Sequence, residues 1–65
     1  MNTDILKGNW KEVRGSVRQK WSKLTNDDLD QIDGKREELI GRIQKYYGEQ
    51  RDAISRELDD LLAKF

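Results

Sequence analysis

The side chains of this sequence that could do chemistry are few in kind. It contains no histidine and no cysteine, so a general base would have to be a carboxylate and a nucleophile would have to be Ser, Thr, Lys or a carboxylate. The densest acidic group comprises Asp27, Asp28, Asp30 and Asp33. A helix is predicted to begin here, and carboxylates are favoured at that end of a helix. We therefore interpret the group as a helix start and expect a non-enzyme with no catalytic residue, no cofactor and no metal site.

The charge is patterned along the chain although Lys+Arg and Asp+Glu are both 13. Residues 1–24 carry six bases and two acids, whereas residues 25–33 carry four acids and no base. Four bases share one flank of the first predicted helix and are called the basic flank: Lys7, Lys11, Arg14 and Arg18. The basic flank could meet phosphates, and Trp10 and Trp21 could stack on bases. Both Trp residues also lie on the apolar arc of that helix, where the core needs them.

The elements that position these residues are helices, because apolar residues recur at spacings of three and four rather than two. The predicted helices span residues 4–22, 26–33, 35–47 and 49–63. The first could be split at Gly8 and Asn9, with Asn9 as a cap. The sequence therefore predicts an all-α fold of about four short helices.

Four cap residues predict the turns between the later helices. Thr25 and Asp28 have the spacing of a capping box, in which the Thr oxygen accepts from a free N–H and the acid faces back. Gly34 and Gly48 each follow a predicted helix. They suit the C′ position, where the backbone turns left-handed and glycine has no Cβ to clash.

The apolar faces of these helices predict a single core. It comprises Trp10, Val13, Val17, Trp21, Leu24, Leu29, Ile32, Leu39, Ile43 and Tyr47. A shift of 26 residues partly matches the sequence to itself, which indicates a helix–turn unit used twice. Gly15 and Gly41 occupy equivalent places inside two helices, opposite the apolar stripe. They could admit a close helix crossing or they could loosen the helix, and the sequence leaves both open.

The composition bounds the class of protein. A chain of 65 residues allows one domain, residues 1–65. Because 40% of the residues are charged and only 34% are hydrophobic, with a mean hydropathy of -1.06, its stability should be marginal. No apolar stretch approaches the roughly 20 residues that cross a bilayer, and the start lacks a signal-peptide pattern. We expect a cytoplasmic protein without membrane insertion.

Two segments together resemble a known family. GNWKEVRGSVRQKWSKLTNDDL and IDGKREELIGRIQKYYG resemble the CsbD-like family of small bacterial stress-response proteins, most strongly over residues 8–50. The resemblance implies induction in the general stress response or stationary phase. It also implies the properties of hydrophilins, which are small, very hydrophilic proteins linked to water deficit. The expected fold is two crossed helical hairpins, and no catalytic or ligand residues are established for the family.

The leading interpretation is therefore a cytoplasmic, non-enzymatic, hydrophilin-like stress-response protein whose partner the sequence does not identify. No small-molecule substrate is expected. The alternative is a small nucleic-acid-binding or regulatory interaction module that uses the basic flank. The last predicted helix ends on Leu61, Leu62 and Phe65, which could pack within the monomer or form a self-association face. We expect a monomer.

Overall fold

The computed structural model describes the backbone of residues 2–65 and the side chains of residues 5–65. Every regular element in this part of the chain is a helix, so the all-α prediction is confirmed. The helices are α1 (Asn2–Gly8), α2 (Trp10–Lys20), α3 (Asn26–Ile32), α4 (Arg36–Tyr47) and α5 (Arg51–Leu62). There are five rather than about four, because the predicted first helix is divided in two.

The division falls at Asn9, which lies between α1 and α2 with φ -110° and ψ 22°. Its N–H donates to the Ile5 carbonyl at 2.9 Å, and its own carbonyl accepts from Val13 at 2.8 Å. The Asn9 side chain makes no capping hydrogen bond, so the hydrogen bonds of Asn9 at this junction are those of its backbone. Before this turn, Leu6 of α1 is fully buried.

The second helix ends at Lys20, two residues before the predicted end. Trp21 has φ -118° and ψ 77°, outside helical geometry, and its side chain is only 3% exposed. The chain therefore leaves the helix while the indole stays in the core. A turn over residues 21–25 then leads to α3.

The predicted repeat is visible in the order of the elements. The first copy is α1 and α2, and the second is α3 and α4; each is a short helix, a turn and a longer helix. The turn of the second copy holds Asp33 at φ 48° and Gly34 at φ 79°. Gly34 is buried, and a Cβ there would lie 3.1 Å from the Lys7 Cα and 3.5 Å from the Leu6 carbonyl oxygen. The turn of the second copy therefore packs directly on the end of α1.

Helix α5 completes the core. It contacts α1, α2 and α4, and its inward face buries Ile54, Leu58, Leu61 and Leu62. Nine of the ten predicted core residues are buried; the tenth, Tyr47, is partly exposed and lies against the edge of the core. Leu6, Ile40 and the four apolar residues of α5 are core residues that the predicted set left out.

Tyr47 lies at the boundary of the core, where its hydroxyl and its ring both contact Lys23. Its hydroxyl accepts a hydrogen bond from the Lys23 backbone N–H at 3.0 Å. The Lys23 ammonium lies 5.0 Å from its ring centroid, a cation–π contact. An aromatic ring with a polar tip is well suited to this boundary between core and solvent, which the apolar periodicity of α4 could not distinguish from full burial.

Candidate functional site

The acidic group predicted from the sequence does not form one site. Asp28 is buried, at 7% exposure, whereas Asp27, Asp30 and Asp33 are exposed. Asp30 forms an ion pair with Arg14, with 2.9 Å between Oδ1 and Nη1. Only Asp28 therefore lies in surroundings that could alter its chemistry.

Asp28 receives hydrogen bonds from three residues on two helices. The capping box is present: the Thr25 oxygen accepts from the Asp28 N–H at 3.1 Å, and the Thr25 N–H donates to Asp28 Oδ2 at 3.0 Å. The Tyr46 hydroxyl donates to Oδ2 at 2.8 Å, and the Arg42 guanidinium donates to Oδ1. Thr25, Asp28, Arg42 and Tyr46 are called the Asp28 cluster, and it joins the start of α3 to α4.

These donors settle the protonation state of the cluster. The Thr25 backbone N–H and then the Tyr46 hydroxyl lower the pKa of Asp28 from 3.8 to about 2, although burial opposes the shift. The same hydrogen bond raises the pKa of Tyr46, since losing its proton would place a second negative charge beside Asp28. Three of the four donors contact Oδ2, among them the Thr25 hydroxyl at 3.0 Å, and Arg42 contacts Oδ1. Both carboxylate oxygens are thus held by neighbouring groups. The cluster is a structural joint.

Sequence reasoning found half of this cluster. It identified Thr25 and Asp28 from their spacing but did not connect them to Arg42 and Tyr46. Those two residues are four apart and so share one face of α4, which was the available signal. Their partner lies 14 and 18 residues away, and only the packing of α4 on α3 brings the side chains together.

The structure divides the basic flank into two parts. Arg14 pairs with Asp30, and the Arg18 guanidinium donates to the Asn26 side-chain oxygen at 2.7 Å. Lys7 and Lys11 are exposed and make no hydrogen bond or ion pair among the side chains of residues 5–65. Two of the four bases are thus held against α3. The alternative of a nucleic-acid module stays a prediction.

Two shallow grooves run beside α2. The larger, about 380 Å³, lies between α2 and α5 and is crossed by a contact of 3.6 Å between Lys20 and Glu57. The smaller, about 290 Å³, lies between α2 and α3 and is lined by Arg14, Gly15 and Arg18 together with residues of α3. Neither groove is lined by a residue of the Asp28 cluster, so this buried acid lies outside both of them.

The open space over Gly15 also bears on the predicted role of the interior glycines. A Cβ at Gly15 or at Gly41 would meet no atom within 4 Å. Neither glycine therefore admits a close helix crossing, which was one of the two readings of the sequence. Each lowers the propensity of its own helix without a packing benefit among the described residues.

The rest of the surface is charged and paired between helices. Phe65, at 43% exposure, is the large apolar residue exposed among the described side chains. Among the side chains of residues 5–65, the ion pairs between neighbouring helices include Arg14–Asp30, Lys20–Glu57, Arg36–Asp59, Arg42–Asp28 and Arg51–Glu37. Apart from the pair of the buried Asp28, these pairs are partly exposed, and pairs of that kind contribute at most about 1 kcal/mol each.

Within the described residues, no group of three or more potential ligands could hold a metal ion. None of the helices there combines the length and apolar character that crossing a bilayer requires.

Comparison with known proteins gives the family. The family model described as CsbD-like matches residues 4–56. The UPF0337 protein YjbJ of Escherichia coli O6:H1 is 49% identical over 59 residues, which cover 91% of this chain and 86% of that protein. The UPF0337 protein ECA0631 of Pectobacterium atrosepticum is 48% identical, covering 89% of this chain and 84% of that protein.

A more distant bacterium carries a similar chain of nearly the same extent. The UPF0337 protein pc0632 of Protochlamydia amoebophila is 41% identical over 64 residues, which cover 98% of this chain and 97% of that protein. No solved structure matches the chain. The family model extends from within α1 into α5, and together with these relatives it shows that the chain belongs to the CsbD-like family.

Proposed function

We propose that this chain is a non-enzymatic bacterial stress-response protein of the hydrophilin type, acting in the cytoplasm as a monomer. The stress-response assignment is supported by membership of the CsbD-like family. The mode of action we propose is physical: a charged, hydrated surface that separates other macromolecules when water is lost. The partner in this mode is any labile protein.

The observation that supports this mode is the division of side chains between core and surface. Fifteen apolar side chains are buried, and Asp28 is the charged residue buried among the described ones. Lys+Arg and Asp+Glu are equal in number and both signs are interspersed over the helices. Because this surface has no large apolar patch among the described residues, it lacks the hydrophobic area through which proteins commonly associate, as a molecular shield requires.

The non-enzymatic part of the proposal is supported by the chemistry of the described side chains. A catalytic acid or base needs a perturbed pKa and access to a substrate. Asp28 has the first, but it is only 7% exposed, both its oxygens accept hydrogen bonds from neighbouring residues, and it lines neither groove. The Tyr46 hydroxyl donates its hydrogen bond to that same carboxylate, so it is not available as a hydrogen-bond donor to a substrate.

The test is protection of a labile enzyme, such as lactate dehydrogenase, through drying and freeze–thaw cycles. The wild-type chain should preserve more activity than an equal mass of an inert protein of similar size. The variant Val17→Asp places a charge at a position with 0% exposure and should unfold the domain, while changing one residue of the composition. Equal protection by both chains would show that composition alone suffices, and no protection by either would refute the proposal.

A further inference from the structure

The groove between α2 and α3 has the features of an anion site. Its volume is about 290 Å³, and its lining consists of Arg14, Gly15, Arg18, Gln19, Asn26 and Leu29. We propose that this groove binds a phosphate-sized oxyanion between the guanidinium groups of Arg14 and Arg18. This inference rests on the groove alone and is independent of the proposed shielding function.

The two guanidinium groups approach the same residue. Arg18 Nη1 donates to the Asn26 side-chain oxygen at 2.7 Å, and Arg14 Nη2 lies 3.5 Å from the Asn26 carbonyl oxygen. Each guanidinium has five N–H donors in a planar fork that matches phosphate geometry. The described contacts use one donor of Arg18 and, with the ion pair to Asp30, two of Arg14. Donors of both groups therefore remain available to one ligand.

The charge balance favours an anion. The carboxylate paired in this region is that of Asp30, which contacts Arg14 and is itself 66% exposed. The partner of Arg18 is a neutral amide, so its positive charge is not compensated by a direct ion pair. A tetrahedral dianion would pair with the charge of Arg18, and Arg is the side chain best suited to bind such an anion through two hydrogen bonds at once.

Gly15 keeps the groove open. It lies between the two arginines on α2, and a Cβ there would meet nothing within 4 Å. Any larger side chain at this position would extend into the space that the anion needs. Gly41 is the equivalent glycine of the second repeat and also faces open space, but it lines neither groove. It is therefore a matched control.

The experiment is an amide NMR titration with inorganic phosphate at constant ionic strength. Saturable shifts are expected at Gly15, Arg18 and Asn26. Because a hydrogen bond to a charged group is lost, Arg18→Gln should weaken phosphate binding by about tenfold or more. The control Arg56→Gln removes the same charge from an exposed residue of α5 and should bind phosphate as the wild-type chain does.

A second pair of variants separates binding from folding. Gly15→Glu adds a better helix former and places a carboxylate beside Arg18, so the helix should persist while phosphate binding is lost. Gly41→Glu should retain wild-type binding. Absence of saturable shifts in the wild-type chain, or equal affinity in Arg18→Gln, would overturn the proposal.

The source of the phosphate group is tested by adding a short DNA duplex. Shifts of the same groove amides that inorganic phosphate reverses would identify a nucleic-acid backbone as a source of the ligand. Shifts with free phosphate but not with DNA would identify a small phosphate compound instead. Shifts confined to Lys7 and Lys11, with a groove that does not respond to phosphate, would contradict the site.

Discussion

The contact of the Gly34 turn with the junction of α1 and α2 leads to a quantitative prediction for Gly34→Ala. Gly34 has φ 79° and is enclosed by the end of α1 and the start of α2. The added Cβ would lie 3.1 Å from the Lys7 Cα and 3.4 Å from the Trp10 Cβ. The first of these neighbours is backbone, so it cannot rotate away as a flexible side chain would. The substitution should therefore weaken the junction of the two repeats.

The magnitude has two parts. A left-handed backbone costs a residue with a Cβ about 1–2 kcal/mol, and forcing a methyl group into a packed contact costs about 1–3 kcal/mol. Together they give a loss of about 2–5 kcal/mol in the free energy of unfolding. A domain of this length typically has about 3–10 kcal/mol in total, so Gly34→Ala should remove a large fraction of the stability.

The matched control is Gly48→Ala. Gly48 has φ 70°, close to that of Gly34, but a Cβ there meets nothing within 4 Å. It should lose only the backbone part, about 1–2 kcal/mol. Urea unfolding followed by circular dichroism measures both variants against the wild-type chain. Equal losses in the two variants would refute the argument, because the difference between them is the contact of Gly34 with α1 and α2.

Three further predictions follow from the same structure. Gly15→Ala and Gly41→Ala should each raise the free energy of unfolding by about 0.5–1 kcal/mol, since each methyl enters open space; thermal melts check the sign. Asp28, with a folded pKa of about 2 against an ordinary 3.8, stabilises the fold fully above about pH 4 and loses this effect as the pH falls to about 2. Between about pH 4 and about pH 2, the free energy of unfolding measured with urea should therefore decrease more steeply for the wild-type chain than for Asp28→Asn. Trp10→Phe should change the free energy of unfolding by less than about 1 kcal/mol. The buried indole N–H has no hydrogen-bond partner among the described residues, and removing an unsatisfied donor offsets the lost ring contacts. Urea unfolding tests this, and a loss like that of an ordinary core truncation would contradict it.

Local signals in the sequence predicted the local structure well. The spacing of Thr25 and Asp28 predicted a capping box that the structure contains, and the position of Gly34 after a helix predicted a left-handed turn. These features depend on residues only a few positions apart. Their geometry follows from backbone hydrogen bonding and sterics, which the types of neighbouring residues determine.

Features that depend on packing were harder to predict. The sequence places Arg14 and Arg18 with Lys7 and Lys11, because all four share a flank of the predicted helix. The break at Asn9 and the approach of α3 change the surroundings of the two arginines, which contact Asp30 and Asn26. Nothing in the spacing of the bases indicates which of them a later helix will cover.

The role of α5 connects the fold to the proposed function. The two repeats present apolar faces, and α5 covers them with Ile54, Leu58, Leu61 and Leu62. Without α5, those faces would be exposed and would favour association. Fifteen apolar side chains lie in the core, so the described surface consists mainly of charged and polar groups, with a groove on each of two sides of α2. The proposed shielding would act through these charged groups, and the proposed anion site lies in the groove beside Gly15.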